Sequence, residues 1–424
     1  MNRTSYKNLA MLSIHGYFDP VPTLGITDTG GQVVYVLELS KALARMGIKV
    51  DIFTRWFDQN KPQIDPVPGF PEVRIIRIPC GNWEFVPKEF IYDLLPELAL
   101  NMIRFISKNN ISYDLFHGHY VDAGIVMLEV AKFFEKPAYF TAHSLGAWKR
   151  DQMGGNKDEM EKMFNFRHRI AEEIRIFKSV NGQTMTSSVQ LEKLNTLYDY
   201  HAENIEIIPP GVDIFRFRMQ RASEQKVETN LPEKYILNLS RIDSNKGHDL
   251  LLKSFGSIAH QLNDVHLVIG GGSPNPKPRE IEIFDMMRKI IDEKKIKDKV
   301  HMVGYISDDL MLPYYQNAML FILPSIFEPF GMTTQEAMAC GCPVIASKFG
   351  GIRNAITHGK NGLLIDPSDE KEFGFAIKSL LDDEILRRRI GKAGSVLIRN
   401  EYSWEAIADR FLEFYIKFKQ FKNQ

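Results

Sequence analysis

The sequence predicts an α/β protein with two domains, each built around a doubly wound parallel sheet of Rossmann-like type. Its 424 residues are enough for two or three domains with sizeable cores. Short β-rich runs alternate with longer helical patterns along the chain, which is typical of parallel α/β architecture. The segment Pro209-Pro210-Gly211-Val212-Asp213 interrupts this alternation with proline and glycine, so we expect a domain hinge there.

The first series of elements precedes the hinge and predicts an N-terminal domain over residues 1–209. Its expected strands are Leu9–Ile14, Ile48–Thr54, Val73–Ile78, Leu115–His117, Ala138–Ala142, Gln183–Thr186 and Ile205–Ile208. Helical patterns fall between these strands, notably at Gln32–Met46, Ile91–Lys108 and Asp158–Phe177.

The second series predicts a C-terminal domain over residues 210–400. Its expected strands are Tyr235–Ser240, Val265–Ile269, Val300–Val303, Met319–Leu323, Val344–Ala346 and Leu363–Ile365. The remaining segment, 401–424, contains an amphipathic helix at about Trp404–Phe418. If the two sheets face each other, ligands are expected in the crevice outside the carboxyl ends of their strands.

Composition excludes several classes of protein. Lysine plus arginine and aspartate plus glutamate both number 53, so the charge gives no reason to expect nucleic acid or an anionic membrane as a partner. There is no apolar run of membrane-spanning length and no signal-peptide core at the start. Cys340 and Cys342 flank one glycine, with no histidine at metal-ligand spacing. We expect a cytoplasmic protein without structural metal, and the oligomeric state is not indicated.

The most informative motif is a pair of glutamates, Glu328 and Glu336, with seven residues between them. A strand is expected to end at Pro324 and a helix to begin near Met332, so that Glu336 lies about one turn into the helix. The N–H groups and positive dipole end of a helix start suit an anion such as a diphosphate. Carboxylates suit sugar hydroxyls, which donate hydrogen bonds to them. The motif therefore predicts a site for a nucleotide sugar.

This motif, with Pro-Phe-Gly after its first glutamate, resembles that of the retaining glycosyltransferases of family four, which have the GT-B fold. The resemblance implies that Glu328 binds hydroxyls of the donor sugar and that Glu336 binds the ribose. It implies that the loop backbone holds sugar and phosphate at Phe330, Gly331, Met332 and Thr333. It also implies two domains facing each other across a cleft, with a C-terminal helix that crosses back onto the N-terminal domain.

A glycine pair, Gly30 and Gly31, lies before the first long helical pattern. Glycines at a strand-to-helix turn let the backbone approach a ligand and leave helix N–H groups available for phosphate. With Gln32 and the run Phe18-Asp19-Pro20, this region resembles the sucrose-phosphate synthase and sucrose synthase subgroup. The resemblance implies that the glycines contact the donor and that Gln32 borders the acceptor. The run Ser13-Ile14-His15 departs from the subgroup's pattern, so the acceptor's identity stays open.

Histidines mark the ends of two predicted strands. The run His117-Gly118-His119 again resembles the sucrose-type subgroup, and its histidines either pack beneath the crevice or contact a ligand. His143 begins His-Ser-Leu-Gly at the next strand end. The family resemblance implies that His143 contacts the donor sugar near the reacting carbon.

Basic residues follow His143 and predict a pocket for a phosphate dianion. Lys149 lies just after the histidine, and Phe166-Arg167-His168-Arg169 resembles the acceptor-phosphate helix of sucrose-phosphate synthases. Side chains two positions apart on a helix point in directions that differ by roughly 200°. Arg167 and Arg169 therefore cannot both face one phosphate. We expect Arg169 to bind it with Lys149 and Arg167 to form a salt bridge. Lys88 is expected on the rim of the acceptor site.

The C-terminal half carries a second cationic pattern, Arg241 followed five residues later by Lys246 and a glycine. Both side chains can point at a diphosphate from the end of the first strand of this domain. Gly270 ends the next strand and lets the backbone approach the nucleotide. Family resemblance places the base at Tyr305 and Ile306, where backbone groups would read its edge.

Together these features predict retaining transfer of a hexosyl group from a nucleoside diphosphate sugar to a sugar phosphate, with fructose 6-phosphate as the expected acceptor. The donor stays open among UDP-glucose, ADP-glucose and GDP-mannose, so a mannosylfructose-phosphate or glycerate-type osmolyte synthase is an alternative. A nucleotide-sugar hydrolase or epimerase and a non-catalytic sugar-nucleotide sensor are further alternatives. No Asp-x-Asp metal motif or Gly-x-Gly-x-x-Gly dinucleotide motif is present, so we expect no cofactor.

Overall fold

The computed structural model describes residues 6–22, 30–153, 156–221, 223–224, 227, 229–273, 276, 278–326 and 328–421. Phe327, which begins the glutamate motif, lies outside the described residues. The chain divides into two compact units. Unit 1 contains the residues up to Gly211 and those from Trp404 onward, and unit 2 is Val212–Ser403. Within the described residues, no helix combines the length and apolar character needed to cross a membrane.

Unit 1 is built on one eight-stranded sheet. Its strands are β1 Asn8–Leu12, β2 Lys49–Trp56, β3 Ile64–Val67, β4 Phe70–Pro79, β5 Leu115–His119, β6 Ala138–Thr141, β7 Gly182–Met185 and β8 Ile205–Ile207. The helices before Gly211 are α1 Gly31–Arg45, α2 Leu95–Lys108, α3 Val121–Phe133, α4 Gly146–Met153, α5 Lys157–Phe164, α6 Phe166–Ser179 and α7 Ser188–Tyr198. The strand order is β3-β4-β2-β1-β5-β6-β7-β8, and every neighbouring pair is parallel except β3 with β4.

Two elements of unit 1 differ from the sequence prediction. The helix predicted over Asp158–Phe177 is wrong as one element, because Asn165 adopts a left-handed conformation, with φ of 50°, and separates α5 from α6. Asparagine tolerates this conformation better than most residues. The short antiparallel edge strand β3 was not predicted, since its four residues contain a proline and only one is buried.

Unit 2 contains a six-stranded sheet in the order β11-β10-β9-β12-β13-β14, in which all neighbouring strands are parallel. In chain order the strands are β9 Tyr235–Leu239, β10 His266–Gly270, β11 Val300–Gly304, β12 Leu320–Leu323, β13 Val344–Ser347 and β14 Leu363–Ile365. Its helices are α8 His248–Ile258, α9 Pro278–Glu293, α10 Asp308–Asn317, α11 Met332–Ala339, α12 Glu370–Asp382 and α13 Glu384–Glu401. The two sheets confirm the predicted class, an α/β chain with two Rossmann-like domains.

Both faces of the unit 2 sheet are covered, as expected for parallel strands. Along β9, Ile236 packs into one apolar cluster, while Tyr235 and Leu237 pack into another. This alternation follows from the two-residue period of a strand, which turns successive side chains to opposite faces. With both faces buried, the loops at the strand ends remain as the places where the sheet can meet a ligand.

The last helix, α14 Trp404–Phe418, packs in unit 1 and has the bounds that the sequence predicted. Its apolar residues join the same core cluster as residues of α1, β1 and β2. Tyr6 and Tyr139 both donate hydrogen bonds to the carbonyl oxygen of Tyr415, at 3.0 and 2.6 Å. The fold thus returns the end of the chain to the first unit.

Candidate functional site

In unit 2, a tight loop after β9 carries Lys246. A 3₁₀ turn over Ser244–Lys246 ends at Gly247, whose φ is 72°. A Cβ on Gly247 would lie 2.4 Å from the carbonyl oxygen of Pro324, so only glycine allows this approach. The close contact brings the loop after β9 against the end of β12. The strands β9 and β12 are neighbours in the sheet.

Glu328 follows β12 and forms an ion pair with Lys246. The Lys246 and Glu328 side chains are 8% and 16% exposed, so the pair is largely shielded from water. The main-chain carbonyl of Glu328 accepts a hydrogen bond from the N–H of Gly351 at 2.9 Å. Loops following β9, β12 and β13 therefore meet at Glu328, with a carboxylate and an ammonium group side by side.

The helix α11 begins immediately beyond this pair. Its N-cap is Gly331, with φ of 97°. Among the described residues, the N–H groups of Met332 and Thr333 have no protein acceptor. Phe330 is buried in the core of unit 2, so its side chain anchors the loop and only its backbone is available to a ligand. The start of α11 has the hydrogen-bonding capacity predicted for holding an anion.

Glu336 lies one turn into α11 and is half-buried. Its Oε2 accepts a hydrogen bond from the Tyr315 hydroxyl at 2.8 Å. Burial raises the pKa of Glu336 to about 7, although the Tyr315 hydroxyl and the Arg216 charge partly oppose the shift. This carboxyl group therefore changes protonation near neutral pH.

Gly270 and Ile306 lie in contact at the ends of β10 and β11. A Cβ on Gly270 would be 2.3 Å from Cδ1 of Ile306, so a larger residue here would require the Ile306 side chain to shift. The adjacent Gly271 donates its N–H to the carbonyl of Gly304 at 2.7 Å. Tyr305 is 43% exposed beside the buried Ile306. Arg241 lies two residues beyond β9, is exposed and has no carboxylate partner among the described residues.

In unit 1, His143 lies two residues beyond β6 and has a left-handed backbone, with φ of 55°. Its Nε2 lies 3.0 Å from Nδ1 of His119, whose Nε2 lies 3.5 Å from Sδ of Met11. Burial, followed by the neighbouring His15, lowers the pKa of His143 to about 3. His143 is therefore a neutral imidazole at physiological pH, with one ring nitrogen hydrogen-bonded to His119.

His117 is a packed core histidine. Of the two interpretations left open by the sequence, packing rather than ligand contact therefore describes this residue. It is fully buried and hydrogen-bonded to the Tyr415 hydroxyl at 2.7 Å and to Thr141 Oγ1 at 2.8 Å. Both ring nitrogens are satisfied by these partners. It supports the end of β5 beneath His119.

The glycine pair Gly30–Gly31 leads directly into α1, with Gly30 as its N-cap. The amide of Gln32 donates hydrogen bonds to Ser13 Oγ at 3.1 Å and to the His119 carbonyl at 3.2 Å. Gln32 thus connects α1 to the ends of β1 and β5. Its contact with an acceptor stays a prediction.

The predicted phosphate-binding cations meet in unit 1 at one concave site, which we call the basic pocket. It is lined by Lys88, Glu89, Tyr92, Tyr120, Lys149, Phe164, Phe166 and Arg169. Lys149 Nζ lies 5.0 Å from the ring centre of Phe164, and Lys88 Nζ lies 3.4 Å from a carboxylate oxygen of Glu89. Three cations far apart in sequence thus line a single surface.

Arg169 is the most constrained of these cations. Its guanidinium is bonded to Glu173 at 2.8 Å and to the carbonyl and hydroxyl of Ser144 at 3.0 and 2.9 Å. It lies over the Tyr120 ring at 4.6 Å. The prediction that Arg167 would carry the salt bridge is wrong, because Arg167 is exposed and forms none with a described residue, whereas Arg169 is buried and carries one.

Sequence reasoning missed several residues that complete these arrangements. Tyr315 and Tyr198 carry no local motif, and Tyr120 follows the run His117-Gly118-His119 but was assigned no role. Long-range folding brings all three to their partners. Glu173 had a usable signal, since it follows Arg169 by four residues in a predicted helix. No group of three or more histidine, cysteine, aspartate or glutamate residues in the described parts of the chain is arranged to hold a metal ion.

Comparison with known proteins gives matches over both units. The family model for group 1 glycosyl transferases matches residues 219–396, and that for Glycosyltransferase Family 4 matches residues 29–216. A mannosylfructose-phosphate synthase from Agrobacterium fabrum is 37% identical over 96% of this chain and 90% of its own. A probable sucrose-phosphate synthase from Thermosipho melanesiensis is 33% identical, covering 91% of this chain and 90% of its own.

A solved structure extends the similarity to three dimensions. Sucrose-phosphate synthase from Thermosynechococcus elongatus superposes with a TM-score of 0.80 and 29% identity. The alignment covers 97% of this chain and 98% of that one. The alignment with this one structure therefore extends over both sheets of the chain.

Proposed function

Because this chain belongs to the retaining glycosyltransferases of family four, with the GT-B fold, we propose that it transfers a hexosyl group from a nucleoside diphosphate sugar to fructose 6-phosphate. That it is a hexosyltransferase follows from its family and from its similarity to two kinds of synthase. The names of both kinds describe the phosphate of a fructose-containing disaccharide. Such products imply a glucose donor, UDP-glucose or ADP-glucose, or the mannose donor GDP-mannose.

The observation that carries the acceptor assignment is the basic pocket. Lys88 and Lys149 approach from different segments, and Arg169 contributes a guanidinium at its wall. Ammonium and guanidinium groups form charge-assisted hydrogen bonds with phosphate oxygens. Aromatic rings of Tyr92, Tyr120 and Phe164 shape the same surface and suit the carbon face of a sugar. A phosphorylated hexose matches this combination of charge and apolar surface.

We assign donor binding to unit 2. Glu328 would accept hydrogen bonds from hydroxyls of the transferred sugar, while Lys246 beside it would bind the diphosphate. The N–H groups of Met332 and Thr333 would add donors to the diphosphate, and Glu336 would accept from the ribose. The contacts of Gly270 with Ile306 hold the loop where the family resemblance places the base, next to Tyr305.

In the proposed reaction, the bond from the anomeric carbon to the diphosphate oxygen breaks while a bond to the acceptor hydroxyl oxygen forms on the same face. The acceptor's proton passes to the departing diphosphate, which takes up the electron pair. Arg241, Lys246 and the N–H groups at the start of α11 would stabilise the negative charge that develops there. His143, neutral at physiological pH, and the Gly30–Gly31 turn stay predictions for contact with the sugar and phosphates.

A donor and acceptor panel tests this function. Purified enzyme would be incubated with UDP-glucose, ADP-glucose or GDP-mannose, each with fructose 6-phosphate, with fructose or without acceptor. We expect a disaccharide phosphate, detected by mass, with one donor strongly preferred. Equal nucleotide release with and without acceptor would favour a hydrolase, and transfer to fructose as efficient as to its phosphate would contradict the acceptor assignment.

A further inference from the structure

A buried carboxylate, Glu173, lies behind the basic pocket on α6. Its side chain is 2% exposed. Oε1 accepts a hydrogen bond from Arg169 Nε at 2.8 Å, and the two oxygens lie 3.2 and 3.0 Å from the N–H nitrogen of Gly146. One carboxylate therefore contacts both a cation of the pocket and the first residue of α4.

Tyr198, the last residue of α7, extends this arrangement. Its hydroxyl donates a hydrogen bond to Glu173 and accepts one from the N–H of Ala147 at 3.0 Å. Burial and the adjacent Glu173 carboxylate raise the pKa of Tyr198 well above its usual value, so the phenol remains protonated and can donate. The N–H groups of Gly146 and Ala147, which have no partner within their own helix, are thus both satisfied.

The hydrogen bonds of Glu173 and Arg169 also fix the position of the segment that carries Lys149. Lys149 lies in the first turn of α4, and its N–H donates to the Leu145 carbonyl at 2.9 Å. Just before this helix, Ser144 is bonded to Arg169 through its carbonyl and its hydroxyl. Two successive parts of the segment are therefore attached to the Arg169–Glu173 pair.

Packing at Gly146 leaves little freedom for this attachment to change. A Cβ on Gly146 would lie 3.0 Å from both Arg169 Nε and Glu173 Oε2. These contacts are tight and involve charged groups that are fixed by other hydrogen bonds. The start of α4 is consequently held directly against the ion pair.

We propose that Glu173 is a positioning residue for acceptor-phosphate binding: it holds Arg169 and the start of α4 so that Lys149 meets the phosphate. This inference rests on the proposed function, since it takes the basic pocket as the acceptor's phosphate site. The positive charge of Arg169 is already compensated by the Glu173 carboxylate. The Arg169 guanidinium therefore shapes the pocket, and Lys149 makes the main charge-assisted contact with the phosphate. Glu173 itself touches no substrate.

The variant Glu173→Gln tests the inference, because an amide keeps the size but cannot accept from Arg169 and Gly146 with both of its polar atoms. We expect the KM for fructose 6-phosphate to rise about tenfold or more. The ratio of kcat/KM for fructose 6-phosphate to that for fructose should fall by a similar factor, with the donor KM unchanged. A general loss of structure would instead lower activity with both acceptors together.

Glu172→Gln is the matched control. Glu172 is the preceding residue on α6, and its carboxylate pairs with Arg175, at 2.8 Å, on the outer part of the helix. The substitution makes the same change in charge without touching α4. We expect its phosphate preference to equal that of the wild-type enzyme.

Tyr198→Phe keeps the test decisive if Glu173→Gln does not fold. It leaves the charges of Glu173 and Arg169 in place and removes only the hydroxyl that links Glu173 to Ala147. We expect a loss of phosphate preference of about threefold. If Glu173→Gln folds and retains the wild-type preference, or if Tyr198→Phe retains it when Glu173→Gln does not fold, the positioning role is wrong.

The wild-type enzyme separates this proposal from the proposed function. If it uses fructose as well as fructose 6-phosphate, the acceptor assignment fails, and the positioning role fails with it. If it strongly prefers the phosphate and Glu173→Gln retains that preference, only the role of Glu173 is overturned.

Discussion

The Lys246 ammonium group is hydrogen-bonded to a carboxylate oxygen of Glu328, a residue 82 positions further along the chain. Both side chains are shielded from solvent, so each is the principal counter-charge of the other in unit 2. Opposite charges in such an environment interact more strongly than at an exposed surface. The two residues proposed for the diphosphate and for the sugar hydroxyls are therefore coupled before any donor binds.

This coupling predicts that Lys246→Ala and Glu328→Ala are not additive. Glu328→Ala should nearly abolish transfer while leaving a measurable residual kcat, and Lys246→Ala should lower kcat on the order of a hundredfold. Replacing Lys246 also leaves Glu328 without its counter-charge, so the two effects overlap by about 1–3 kcal/mol in a double-mutant cycle. Steady-state kinetics of both single variants and the double variant measure this overlap. The half-exposed Lys253, paired with Asp249 on α8, provides a control lysine. Additive losses would contradict the coupling.

Arg241→Ala tests whether arginine stabilises the leaving diphosphate. Since Arg241 is exposed and has no carboxylate partner among the described residues, its removal breaks no ion pair there. We expect kcat to fall about a hundredfold, comparable with removing one oxyanion donor, and the melting temperature to stay constant. Arg288→Ala, on the surface of α9, should leave kcat unchanged. Inactivity after EDTA treatment that Mg²⁺ reverses would show that a metal serves this role instead.

Donor binding should depend on pH through Glu336. The pKa of about 7 is raised by burial, so the neutral form is favoured in the folded chain and ionisation opposes stability as pH rises through that value. The ionised form accepts ribose hydrogen bonds better, so donor affinity should increase between pH 6 and about 8. Calorimetric titration of the nucleotide sugar across this range measures the effect.

Two variants identify the titrating group. Glu336→Gln should remove the pH dependence of donor affinity. Tyr315→Phe removes the hydrogen bond that stabilises the carboxylate, so the midpoint should move to higher pH. An unchanged midpoint in both variants would assign the dependence to another residue.

Lys149→Ala tests the acceptor contact directly. A charge-assisted hydrogen bond to an ionised group contributes roughly 1.5–3 kcal/mol, so the preference for fructose 6-phosphate over fructose should fall more than about tenfold. The donor KM should hardly change, because Lys149 lines the basic pocket and is not among the residues assigned to the donor. Arg150→Ala is the control, since that exposed neighbour pairs with Asp151. Equal losses in the two variants would argue against a specific role for Lys149.

Phe414→Ala should destabilise unit 1 specifically. Phe414 is fully buried in the unit 1 core although it lies in the last helix, α14. Truncating such a side chain costs about 3–5 kcal/mol. The chain has four tryptophans, all in unit 1, so tryptophan fluorescence during urea unfolding reports on this unit alone. Ile416→Ala, at a half-exposed position on the same helix, should change the free energy of unfolding by less than about 0.5 kcal/mol.

The amino-acid sequence by itself indicated the parallel α/β class, the two series of strands and the bounds of α14. It also indicated the helix that begins at Met332 and the glutamates of its motif. These features depend on contacts between residues close in sequence, on hydrophobic period and on proline and glycine punctuation, all of which can be read locally. The family resemblance then implied the class of reaction.

Tertiary structure decided which charges meet. The pairing of Lys246 with Glu328 and the meeting of Lys88, Lys149 and Arg169 at one pocket join segments that have no pattern in common. In the structure Arg169, rather than Arg167, forms the ion pair with Glu173. Tyr198 reaches the same carboxylate from another helix. Burial changes the pKa of Glu336 and His143, and the degree of burial is known only once distant segments have packed around them. Such properties arise from long-range packing, whereas helix and strand patterns arise from short-range periodicity.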